Sequence, residues 1–91
     1  MIKSFRSKAL KIFYTKGDES KLPVQSPDRI RRQLAALNAA TLPEQMNLPG
    51  WYFHGLGGKL KRFSVRVTGN WRITFEFDGP DAAVVDIEDY H

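Results

Sequence analysis

The chain has 91 residues, with 14 Lys and Arg against 10 Asp and Glu, a net charge of +4, and no cysteine. That length suits one compact domain over 1–91 and excludes separate cofactor and substrate lobes, while 42% hydrophobic and 12% aromatic content excludes a disordered basic tail. Without cysteine there is no disulfide, thiol nucleophile or thiolate-bound metal, and His54 and His91 alone are too few for a zinc site, so no cofactor is expected.

From Phe5 to Thr15 the apolar residues Phe5, Ala9, Ile12 and Phe13 recur at helical spacing, with Leu10 and Tyr14 alongside and Lys3, Lys8 and Lys11 left for solvent. Lys16-Gly17 reads as the helix end. The polar stretch Gly17–Gln25, with Pro23, is a loop. Ser26-Pro27-Asp28 then starts a second helix, with an N-cap hydroxyl, a proline at the first position and an acid in the first turn. Ile30, Leu34, Leu37 and Thr41 line its buried face to about Ala40, and Arg29, Arg31, Arg32 and Gln33 point elsewhere, an ordinary solvated face. Pro43 and Pro49-Gly50 break the chain with room for one short turn between them. Trp51–His54 is a candidate short strand, followed by a flexible Gly55-Leu56-Gly57-Gly58 loop that has neither dinucleotide-binding nor P-loop spacing.

The last third alternates. Phe63, Val65 and Val67 face one way and Arg62, Ser64, Arg66 and Thr68 the other. Trp71, Ile73, Phe75 and Phe77 continue the apolar face, with Arg72, Thr74 and Glu76 opposite. After an Asp78-Gly79-Pro80-Asp81 turn, Ala83, Val85 and Ile87 alternate with Val84, Asp86 and Glu88 in a final strand. The pattern predicts an α+β domain, two helices packed on one face of a small, mainly antiparallel sheet whose other face is open. No apolar run approaches the roughly 20 residues that cross a bilayer, and MIKSFRSKAL has no signal-peptide core. A cytoplasmic protein without membrane contact is expected.

A two-residue hairpin at Gly69-Asn70 would set Val67 opposite Arg72 and mismatch the apolar faces. A three-residue loop, Thr68-Gly69-Asn70, pairs Val67 with Trp71 and Val65 with Ile73, with Asn70 able to take the left-handed position. It also sets Arg66 opposite Arg72, a like-charge pair that is unfavourable unless an anion lies across it.

Charge is divided unevenly: residues 1–72 hold all 14 cations and four acids, a net +10, and residues 73–91 hold six acids and no Lys or Arg, a net −6. The open face collects Arg62, Arg66 and Arg72, with Lys59 and Lys61 at its entrance, a set suited to phosphate. The competing reading is a salt-bridged surface in which Arg72 pairs with Glu76 and Glu88. The last strand delivers Asp89-Tyr90-His91 to the edge of that face, placing an imidazole beside a carboxylate and a phenol as a candidate proton donor or acceptor. His54, before the Gly-rich loop, reads as structural or as a rim contact.

The run Arg66-Val67-Thr68-Gly69-Asn70-Trp71-Arg72-Ile73-Thr74-Phe75, the ending Asp86-Ile87-Glu88-Asp89-Tyr90-His91, the start Met1-Ile2-Lys3-Ser4-Phe5 and the segment Leu34 through Thr41 closely resemble the HigB branch of the RelE-like toxins. The resemblance implies a RelE-like microbial ribonuclease-type fold and a ribosome-dependent mRNA endonuclease, the toxin of a bacterial type II toxin–antitoxin pair. It implies metal-free cleavage in the ribosomal A site, and a HigA-like helix-turn-helix antitoxin as partner beside the ribosome and mRNA. Position by position it marks His91, Asp89, Tyr90 and Arg72 as catalytic. The family's lysine falls where this chain has Gly57; Lys59 or Lys61 can reach the same volume, with Arg62 and Arg66 as further phosphate contacts. Two alternatives share the fold: a non-catalytic RNA- or ribosome-binding module, whose binding would fall steeply with salt and ignore Asp89 or His91, and a protein-interaction domain.

Overall fold

The computed structural model describes residues 1–57 and 61–89. Helix α1 spans Lys8–Lys16 and α2 Pro27–Ala39, a short 3-10 turn covers Pro43–Met46, and four strands follow: β1 His54–Leu56, β2 Arg62–Arg66, β3 Trp71–Asp78 and β4 Asp81–Asp89. The strands form one antiparallel sheet in the order β1-β2-β3-β4. Residues 2–5 run parallel to the outer edge of β4, through bridges Ile2–Ala82 and Phe5–Val85, so the sheet is antiparallel except at this edge. No helix among the described residues is long and apolar enough to cross a membrane.

Helix α1 begins three residues later than the periodicity from Phe5 suggests. Ser7 is its N-cap, with Oγ accepting the Leu10 N–H at 3.2 Å, and Phe5 belongs to the edge strand beyond it. The predicted end holds: Gly17 takes a left-handed φ of 73° and returns its N–H to the Phe13 carbonyl at 2.9 Å. In α2, Ser26 occupies the N-cap but its hydroxyl makes no capping bond. The buried stripe is Ile30, Gln33, Leu34, Leu37 and Ala40, and Thr41 lies past the helix in solvent. The helix stops at Ala39, so Thr41 no longer follows its face.

Leu10, Phe13, Ile30, Leu34 and Leu37 meet Val65, Val67, Ile73, Phe75, Ala82 and Val85 in a single core between the helices and one sheet face. Met46, from the 3-10 turn, is fully buried in the same cluster. Burial of each large side chain contributes about 1.5–3 kcal/mol. The final strand departs from simple alternation. Thr74 pairs with Asp86 and Glu76 with Ala83, leaving Phe75 across from both Val84 and Val85, a β-bulge. Val84 carries a positive φ of 51° there. Beyond the bulge the phase flips, so Ala82, rather than Ala83, shares the core face with Phe77. Gly79, with φ 63°, starts the β3–β4 turn; Pro80 cannot take a positive φ, so this is the primed hairpin turn with glycine first.

The predicted register of the β2–β3 hairpin is found: Val65 opposite Ile73 and Arg66 opposite Arg72. Its loop differs in detail. Neither Gly69 nor Asn70 has a positive φ; the N–H groups of Val67 and Thr68 converge on the Trp71 carbonyl at 2.8 and 3.3 Å, a wider closure that needs no left-handed residue. Strand β1 lies three residues further along than Trp51. Gly55 and Leu56 pair with Phe63 and Arg62 rather than forming a loop, and the Phe63 ring lies 4.0 Å from where a Gly55 Cβ would be.

Candidate functional site

Strand alternation puts Arg62, Ser64 and Arg66 of β2 on the face away from the helices, with Arg72, Thr74 and Glu76 of β3 beside them. The same register brings His54 next to Ser64 and Glu88 next to Arg72. The cations on this face are not equivalent. Arg62 donates to Glu76 Oε2 at 3.1 Å, Thr74 Oγ1 at 2.9 Å and the Val84 carbonyl at 3.4 Å, and lies 3.8 Å from Glu88 Oε2. Thr74 Oγ1 in turn donates to Glu88. Arg62 thus forms a salt-bridged cluster with Glu76 and Glu88 on this face.

Arg66 sits at the other end of β2. Among the described residues no carboxylate ion-pairs with it, and its Nε is buried without a hydrogen-bond acceptor. Its guanidinium instead lies over the Tyr52 ring, 4.2 Å from the centroid. Arg72 stands across the strand pair from it and reaches Ser64 Oγ at 3.5 Å. Tyr52, Phe53, His54, Arg66 and Arg72 enclose an open depression of about 290 Å³. A larger hollow of about 580 Å³ between Glu19 and Pro27 contains none of the candidate residues.

The depression is anchored from α2. Arg29 donates from Nε and Nη2 to the Arg66 carbonyl at 3.1 and 3.0 Å, and from Nη2 to the Gly50 carbonyl at 2.6 Å. Gln33, fully buried, adds a third donor to the Arg66 carbonyl at 2.8 Å. The solvated helix face expected for Arg29 and Gln33 is therefore not found. The missed signal was spacing: Ile30, Gln33, Leu34 and Leu37 form an i, i+3, i+4, i+7 stripe. Of the same group, Arg31 does reach solvent, pairing with Asp28 at 2.7 Å and covering the Phe13 ring.

Two comparisons bear on what this arrangement serves. Residues 3–91 match the family described as the RelE-like toxin of the type II toxin–antitoxin system HigB. A protein of Proteus vulgaris named Endoribonuclease HigB is 42% identical over 92 residues, covering the whole of both chains. The chain belongs to the HigB-like family of RelE-like toxins.

Within that family frame the predicted site residues fall into three groups. Arg66 and Arg72 are brought together. Asp89 ends β4 across from Trp71, one step beyond the Arg72–Glu88 pair. Lys61 and Arg62 line a separate hollow of about 410 Å³ with Gly57 and Glu44, so Lys61 does border the volume next to position 57, where the family's lysine falls. Lys59, Tyr90 and His91 lie outside the described residues. His54, read as structural or a rim contact, does line the depression, and so does Tyr52, which the sequence does not single out. Strand parity through Ser64 could have found His54; nothing local announces Tyr52.

Proposed function

We propose that this chain is an endoribonuclease, the toxin of a type II toxin–antitoxin pair, which cuts mRNA in the ribosomal A site. The observation that carries the reading is the Arg66–Arg72 pair. The two arginines stand directly opposite each other and line one open depression, where both guanidinium groups can donate to a single phosphate. The relative's name, Endoribonuclease HigB, supplies the reaction class.

In the proposed chemistry the message's own 2′-hydroxyl attacks the adjacent phosphorus while a base takes its proton. The bond from phosphorus to the 5′-oxygen breaks, and an acid returns a proton to that oxygen, leaving a 2′,3′-cyclic phosphate and a 5′-hydroxyl. No metal or redox partner enters the balance. Arg72 and Arg66 stabilise charge on the pentacoordinate phosphate. His91 and Asp89 share the proton transfers and Tyr90 orients a base. His54, which lines the depression with Arg66 and Arg72, adds an imidazole there. Lys61, with Lys59, draws the backbone toward the sheet, while Arg62 is held by Glu76 and Glu88. The single domain works in the cytoplasm and is neutralised by a HigA-like helix-turn-helix antitoxin.

Primer extension on ribosome-bound message tests this. The wild type should cut, and His91→Gln should lose about 10²–10⁴-fold in rate, the usual contribution of one acid–base group. Cleavage by His91→Gln at the wild-type rate would sink the assignment. Message with a 2′-deoxy sugar at the cut position should resist; a normal rate on it would remove the 2′-hydroxyl route.

A further inference from the structure

Tyr52 combines three properties that packing does not account for. It adopts φ 50°, a left-handed value that a bulky side chain seldom takes and that costs energy. That cost is not repaid by burial, because the residue is 61% exposed. Its position is nevertheless fixed through the two residues that precede it. The Trp51 carbonyl accepts the Arg66 N–H at 2.7 Å, and the Gly50 carbonyl accepts from Arg29 at 2.6 Å. Strained backbone that is held in place and presents a large ring to solvent is a pattern of sites rather than of cores.

The surroundings say what the ring faces. Its partner is the Arg66 guanidinium at 4.2 Å, and both line the depression that includes His54 and Arg72. We propose that Tyr52, held against Arg66, is a stacking shelf for a nucleobase of single-stranded RNA bound beside the Arg66–Arg72 pair. This rests on the ribonuclease reading for its ligand and adds a base-holding subsite to it. Every base has a flat π face that can stack on an aromatic ring backed by a guanidinium, whatever its hydrogen-bonding edge. The shelf therefore positions a nucleotide without selecting its identity. With Arg66 held along the ring, its guanidinium borders the same open depression as the base and can meet a phosphate of the same strand.

Tyr52→Gly separates this role from a structural one, because glycine relieves the positive φ while deleting the ring. Binding is read by fluorescence anisotropy with a labelled, uncleavable 2′-O-methyl single-stranded RNA, alongside thermal unfolding. Tyr52→Gly should lose about 5–150-fold in affinity, the span for removal of one stacked base, with an unfolding midpoint at or above wild type. Tyr52→Phe and Tyr52→Trp should retain wild-type affinity. An RNA carrying abasic positions should bind the wild type and Tyr52→Gly equally.

Unchanged affinity in Tyr52→Gly overturns the shelf, as does failure of the wild type to bind RNA, or an affinity loss matched by a fall in the unfolding midpoint. The two readings part cleanly. RNA binding that depends on Tyr52, in a protein that leaves ribosome-bound message intact, removes the nuclease and keeps the shelf. Normal cutting with Tyr52-independent binding does the reverse.

Discussion

Arg62 and Arg66 lie on one strand, four residues apart and on one face, yet they occupy opposite situations. Around Arg62 the sheet supplies Glu76, Glu88, Thr74 and the Val84 carbonyl, and its side chain is only 19% exposed. Across from Arg66 the sheet supplies a second arginine, and beneath it an aromatic ring. The first arrangement satisfies a cation within the protein. The second holds a cation in place without neutralising it. The difference follows from the neighbours' charge, since pleat, burial and residue type are nearly shared. A basic stripe read from sequence is thus two things, a structural clamp at one end and an anion site at the other.

The largest expected effect comes from the end where Arg66 and Arg72 meet. Arg72→Gln removes one of the two charges facing the proposed phosphate, and cleavage of ribosome-bound message should fall about 10²–10³-fold, as for loss of one preorganised donor to a developing oxyanion. If Arg72→Gln cuts normally, the two ends of β2 do not differ in the way argued. The compensated end should show the opposite signature. Arg62→Met leaves Glu76, Glu88 and a bulge carbonyl with a lost donor, and unfolding in urea should report a loss of about 1–3 kcal/mol. A midpoint equal to wild type would place Arg62 with the site arginines rather than with the clamp.

Legibility in the sequence followed how local each determinant is. The Arg66–Arg72 pairing depends only on turn length and the two apolar phases flanking it, both visible in one short stretch, and it was found. The bulge in β4 was not readable, because Ala82, Ala83, Val84 and Val85 are four apolar residues in a row and carry no alternating phase. Gln33 was misassigned for its polarity although its spacing placed it on the buried stripe. Its partner, the Arg66 carbonyl, lies 33 residues away in sequence, and no local pattern can announce a backbone acceptor. The same holds for Arg29, 37 residues from that carbonyl. Arg29 also binds the Gly50 carbonyl, two residues before the positive φ of Tyr52. The Asp89-Tyr90-His91 ending was read from residue chemistry and resemblance. Of it the described residues include Asp89 alone, in the β4 register across from Trp71.

An exposed ion pair at the far end of the sheet gives the smallest effect and calibrates the other two predictions. Lys3, on the parallel edge segment, donates to Asp78 at the β3–β4 turn. This hydrogen bond and the attached charge hold the Asp78 carboxyl below its ordinary value and raise the Lys3 ammonium above its own. The sign follows for each group. The Asp78 contribution is complete above the normal carboxylate range and is lost as pH falls through the lowered value; the Lys3 contribution is complete below the normal lysine value and is lost as pH rises through the raised one. Both are therefore in place at neutral pH. The pair is solvated on all sides, unlike that of Arg62, and water and salt screen most of the attraction. Asp78→Asn should accordingly lower the thermal midpoint only slightly at neutral pH and low salt. The gap to wild type should close as acid protonates Asp78, and also as salt is added. A gap that stays constant down through the acid range, or that matches the loss in Arg62→Met, would mean that exposure does not separate these pairs, and the contrast along β2 would need a cause other than burial and neighbouring charge.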